Sequence, residues 1–171
     1  MSDVDRRGAA SGSALFFALA PGTVAGLVPW LLTGWQVGAG FAHWWPLRVL
    51  GIAVLIAGAL FLVQAFARFV REGLGTPAPV APPVHLVVGG IYRYVRNPMY
   101  VAVIATILGQ SLLLWRPVLL GYAVIVAAAM VAFVIGYEQP ALTSRFGAEY
   151  LAYRRAVPGW WPRLTPWHPD R

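Results

Sequence analysis

Residues 47–67 read LRVLGIAVLIAGALFLVQAFA, a run with one charge, Arg48, and one other strongly polar side chain, Gln64. At about 1.5 Å per residue an α-helix of this length covers the roughly 30 Å hydrocarbon core of a bilayer. The run has no polar face, so it is not a surface helix of a water-soluble protein, which carries an apolar stripe about 100° wide. Its environment is lipid or other helices, and Gly51, Ala53, Ala57 and Gly58 offer small surfaces for helix packing.

Working outward, the same reading applies three more times. Residues 14–32 lie in an uncharged stretch between Arg7 and Arg48, with Pro21 and Pro29 expected to bend or shorten the helix and Gly22 and Gly26 forming a GxxxG pair. Residues 98–115 open on Asn97-Pro98, a capping residue followed by a proline suited to the first helical position. Residues 117–137 follow after the tight Arg116-Pro117 turn and end at Glu138 and Pro140, so the last two spans form a helical hairpin. Trp35, Trp44 and Trp45 fall between the first two spans, where amphipathic aromatics settle at a membrane interface. Residues 72–90, EGLGTPAPVAPPVHLVVGG, hold four prolines and four glycines and read as a long irregular loop. Beyond Pro140, Leu142, Phe146, Tyr150, Tyr153 and Val157 recur at helical spacing, which predicts an amphipathic interfacial helix over 141–156 followed by a Trp- and Pro-rich strap. The expected fold class is therefore all-α: a polytopic membrane protein with four transmembrane helices plus a C-terminal amphipathic helix, residues 1–12 forming a tail and 13–171 a single domain.

The net charge of +7 comes from thirteen arginines and no lysine against six acids. These arginines flank apolar spans and form no basic stripe on a soluble segment, which argues against nucleic-acid binding. Arg6, Arg7, Arg68, Arg71, Arg93, Arg96, Arg145, Arg154, Arg155 and Arg163 all fall on one side of a four-span topology; Arg48 and Arg116 fall on the other. The bias of basic residues toward the cytoplasm places both termini and the long loop there, as in a bacterial inner-membrane protein. With no cysteine, thiol chemistry and disulfides are excluded, and His43, His85 and His168 lack metal-ligand spacing, so no metal site is expected.

Two segments concentrate polar and aromatic side chains at the cytoplasmic ends of the last two spans: GGIYRYVRNPMY (89–100), and YEQP (137–140) with FGAEY (146–150). The hairpin is expected to bring Arg93, Arg96 and Asn97 near Glu138, and ionisable groups at a membrane boundary point to function. The Gly89-Gly90 pair is not a dinucleotide fingerprint, because no strand precedes it and no third glycine follows at the required spacing.

YRYVRNPMY, followed by YEQPALTSRFGAEYLAYRRAVPGWWPR at the right distance, resembles the isoprenylcysteine carboxyl methyltransferase-like integral membrane methyltransferases, which are similar to phospholipid methyltransferases. The resemblance covers roughly residues 47–164. It implies an enzyme that uses S-adenosylmethionine and a lipophilic or lipid-anchored acceptor arriving from the membrane. Carried over by position, it implies Glu138 and Arg96 as catalytic residues, with Tyr92, Arg93, Asn97, Pro98, Tyr100 and Glu138 binding the cofactor. Asn97 stands where some members have histidine, and Gln139 replaces the second acid of a Glu-Glu pair. An NADPH-dependent membrane reductase of sterol-reductase type and a non-catalytic membrane scaffold are the alternative readings.

Overall fold

The computed structural model describes residues 19–39, 44–73 and 84–168. The expected tail 1–12, the start of the first span and most of the proline-rich loop lie outside them. The described chain is helical: α1 (Leu19–Thr33), α2 (Trp45–Gly73), α3 (Pro98–Leu114), α4 (Val118–Phe133) and α5 (Gln139–Ala156), with a short 3₁₀ turn at Gly90–Arg93. The helix containing Trp45–Phe69 and the continuous run Val118–Ala156 are long and apolar enough to cross a membrane; Leu19–Thr33 and Pro98–Leu114 are shorter apolar helices.

α2 and α3 form the most extensive helix pair. Gly51 lies beside Leu113, Leu55 beside Gly109 and Gly58 beside Thr106, so the numbers run in opposite directions and the pair is antiparallel. A Cβ on Gly109 would sit 2.6 Å from the Leu55 backbone nitrogen, and one on Gly51 would sit 2.6 Å from that of Leu113. Backbone therefore meets backbone, the contact that small residues permit between apolar helices. Of the four small residues expected to pack, Gly51 and Gly58 are buried in this seam, whereas Ala53 and Ala57 face outward. The Gly22/Gly26 pair seats no neighbour at Gly26, which has open space beside it. Leu62, Ala102, Val103, Ile107, Leu119, Ala123 and Val126 fill the core between α2, α3 and α4.

α2 continues to Gly73, six residues past the expected end of its span. Charge begins at Arg68, but charge marks the edge of lipid and not the end of a helix; Arg68 and Glu72 pair across one turn at 3.0 Å. Glu72 also accepts the Gly89 N–H at 3.0 Å, which ties the returning loop to α2.

The prolines of α1 and α4–α5 are absorbed without breaking either helix. Thr23–Leu27 and Val134–Glu138 are wide π turns, each placed just before a proline, Pro29 and Pro140. Helix-interior proline leaves the carbonyl four residues back without its N–H partner. For Pro29 that carbonyl belongs to Ala25, and it accepts the Gln110 side-chain amide at 2.7 Å; next to it, the Val24 carbonyl accepts the Tyr122 hydroxyl at 2.8 Å. Neighbouring helices thus satisfy the polar backbone that proline exposes inside an apolar bundle.

The helix expected over 141–156 runs on directly from α4 and breaks at Gly147, whose φ of 52° and ψ of −124° suit glycine alone. The break turns the second half of α5 so that Tyr150, Tyr153 and Val157 pack with Leu86, Val88 and Trp167 in a cap over one end of the bundle. Gly147→Ala meets no atom within 4 Å, so its cost is backbone strain alone. It should lower stability by about 1–3 kcal/mol, read as thermal unfolding in detergent, and loosen the cap.

Candidate active site

The cap is built from two chain segments laid side by side. The Arg96 N–H donates to the Pro158 carbonyl at 2.9 Å and that of Asn97 to Gly159 at 3.2 Å; the Arg163 N–H donates to Tyr94 and that of Trp167 to Arg93, both at 3.0 Å. The C-terminal strap is therefore held by backbone bonds to residues 93–97, immediately before α3. Pro98 is buried at the first position of that helix, where its missing N–H is no loss.

Asn97 occupies the capping position as expected, but its side chain makes no cap bond. Its Nδ2 is buried and has no hydrogen-bond partner, the one such side-chain atom among the described residues. Buried donors are rarely left unpaired, because each costs about 1–3 kcal/mol. Gly159 lies over it: a Cβ there would press on Asn97 Nδ2 at 3.4 Å and on an Arg96 terminal nitrogen at 3.3 Å.

Arg96 donates from Nε to the Val157 carbonyl at 2.7 Å and from a terminal nitrogen to the Tyr150 hydroxyl at 3.3 Å. One turn into α3, the Tyr100 hydroxyl donates to Glu138 Oε2 at 2.9 Å, and its ring lies 6.2 Å from that of Trp160. Among the described residues Glu138 joins no ion pair, the one found there being Arg68–Glu72. The cluster thus combines an arginine, an unpartnered amide donor, a carboxylate with one oxygen uncommitted, and two aromatic faces. Among the described residues no group of His, Asp or Glu could hold a metal ion.

The structure brings together Arg96, Asn97, Pro98, Tyr100 and Glu138 from the expected set. The other two make their hydrogen bonds outside this set, with Tyr92 near enough to Glu138 and Tyr100 to feel their charge. Tyr92 is buried with Ala65 and Val87, its hydroxyl 3.4 Å from the Ala65 carbonyl, and its own carbonyl accepts the Tyr153 hydroxyl at 2.6 Å. Burial first, and then the neighbouring Tyr153, push the Tyr92 phenol well above its usual range, so it remains a neutral donor. Arg93 donates from Nε to the Trp167 carbonyl at 2.8 Å and contacts the His168 ring, so it fastens the strap. Tyr150, from the quoted FGAEY segment, and Gly159 and Trp160 join the cluster without having been expected as site residues. Tyr150 is signalled by the FGAEY spacing, but no periodicity signals Gly159 or Trp160.

No curated protein and no solved structure matches this chain. The phospholipid methyltransferase family matches residues 46–149, more than half of the sequence, and that stretch contains Arg96, Asn97, Tyr100 and Glu138. A match over that share of the sequence places the chain: it belongs to the phospholipid methyltransferase family of membrane proteins.

Proposed function

We propose that the protein is an S-adenosylmethionine-dependent methyltransferase whose acceptor is a membrane-embedded lipophile, either phospholipid-like or isoprenylcysteine carboxylate-like. In this reading α1 to α4 cross the bilayer four times, both chain ends are cytoplasmic, and the cap forms the cytoplasmic boundary where cofactor and lipid meet. The observation that carries the reading is the buried, unpartnered Asn97 Nδ2, set beside Arg96 at the N-terminus of α3 and one turn from the Tyr100–Glu138 pair.

These residues fit the cofactor's chemistry. Arg96 and Asn97 supply donors, and the α3 N-terminus a positive dipole, for a carboxylate. The Tyr100 and Trp160 rings offer π faces to a cationic centre, and the uncommitted Glu138 oxygen accepts from a hydroxyl or an amine. Tyr92 and Arg93 support this set from behind by holding the core and the strap. When bound, S-adenosylmethionine supplies a methyl group on a cationic sulfur, open to in-line attack by an acceptor lone pair. The protein's contribution is orientation, exclusion of water by the strap, and fixed charge, which together account for large rate effects without an acid–base step.

The test is incubation of detergent-purified protein with methyl-labelled cofactor and a total lipid extract. Labelled lipid should form, and Glu138→Ala should reduce it by about 100-fold, the scale for losing one preorganised polar group. Absence of cofactor binding, or NADPH consumption with an enone lipid in place of methyl transfer, would sink the proposal.

A further inference from the structure

The two π turns share one arrangement. The residue before each proline donates its N–H to the carbonyl five residues back: Val28 to Thr23 before Pro29, and Gln139 to Val134 before Pro140. α2 and α3 have prolines only in their first turn, at Pro46 and Pro98, and contain no wide turn. Proline's ring crowds the carbonyl four back, and a turn widened by one residue relieves that crowding. The extra residue also rotates everything downstream by about 100°, the angle per residue of an α-helix.

At Val134–Glu138 this rotation separates two surfaces that are each fixed independently. Upstream, Ala123 and Val126 are buried on the bundle side of the helix. Downstream, Tyr150 receives Arg96 and Tyr153 donates to the Tyr92 carbonyl. Glu138 is the last residue of the wide turn, where it accepts from Tyr100. We infer that Pro140 is a positioning residue: by holding the turn Val134–Glu138 open, it sets the rotation that lets Glu138 meet Tyr100 and that delivers the helix to the Gly147 break, beyond which Tyr150 reaches Arg96. The consequence for turnover rests on the methyltransferase reading; the consequence for geometry does not.

The chain has no cysteine, so spin labels can be placed at will. Val124 and Ser144 are exposed on either side of the turn and both precede the Gly147 break, so Val124→Cys with Ser144→Cys reports its rotation in the full-length protein. Pro140→Ala should let the helix close to regular α geometry, shift the label distance by several Å, and lower kcat at least about tenfold. Its melting temperature should fall, since one restored helical N–H does not offset the loss of the Tyr100–Glu138, Arg96–Tyr150 and Tyr153–Tyr92 bonds, and it should recover when the geometry is rescued. Deleting Gly136 in the Pro140→Ala background removes the surplus residue and should restore both distance and turnover. A merely structural proline would lower the melting temperature at an unchanged label distance, with no rescue by shortening the chain. An unchanged label distance overturns the proposal, as does a shifted distance with unchanged turnover, or a rescued distance without rescued turnover. If the parent protein transfers no methyl group, the functional reading fails by itself, and the label distances with the melting temperatures still decide whether Pro140 sets the turn.

Discussion

Under the proposed function, Arg96→Ala should lower kcat/KM for methyl transfer at least about 100-fold, a loss of roughly 2.7 kcal/mol of transition-state stabilisation. Arg96 binds at two levels. Its Nε and one terminal nitrogen hold Val157 and Tyr150, and so the strap, while its other terminal nitrogen lies beside Gly159 and the unpartnered Asn97 amide. Truncation removes a cationic donor from the cluster and leaves a carbonyl and a buried phenol without their partner, which adds about 1–3 kcal/mol of destabilisation per group. Arg96→Lys should recover little, because an ammonium cannot bridge two acceptors with the fixed fork of a guanidinium. The activity assay above checks the first effect. Faster proteolysis of the C-terminal strap checks the second. Arg155→Ala, on the exposed face of α5, serves as the unaffected control.

The second large effect is structural. Gly109→Val should destabilise the protein by about 3 kcal/mol or more, at or above the upper end for overpacking. The new Cβ would lie 2.6 Å from Leu55 N and 2.8 Å from its Cα, and backbone atoms cannot rotate out of the way. α2 and α3 must therefore move apart along the seam that also carries Gly51 and Gly58. Thermal unfolding in detergent should show a fall of roughly 6–12 °C. Gly121→Ala, with no atom within 4 Å of the added group, should melt with the parent.

The start of α3 was legible in the sequence because Asn97-Pro98 combines two local preferences that act within one turn. The apolar helices were legible because continuous hydrophobicity does not depend on knowing the partner. The end of α2 was not: a hydropathy boundary and a hydrogen-bond boundary are different things, and ARFVREG is a good helix on the far side of the first. The helical continuity through Pro140 was hidden for a related reason. Proline signals that an N–H is missing but not whether the chain will stop or widen. Of the candidate site, Arg96 and Asn97 could be expected near Glu138 because a helical hairpin brings residues 93–97 and 138 to the same end, whereas Tyr100 came only with the resemblance. The strap's place could not be read, since backbone hydrogen bonds carry it and these leave no trace in residue type. The same cause sets Arg93 apart from Arg96: only two residues separate them in the chain, and the strap engages Arg93 at Trp167 and Arg96 at Val157.

The arrangement around Pro29 carries an evolutionary consequence. Gln110 and Tyr122 spend their polar groups on carbonyls beside that proline, from two different helices. A relative lacking the proline would have an intact backbone ladder there and no use for a buried amide, whose unsatisfied cost would then favour a leucine. The three positions should therefore covary as a set, and among close relatives the identity at one should report the identity at the other two.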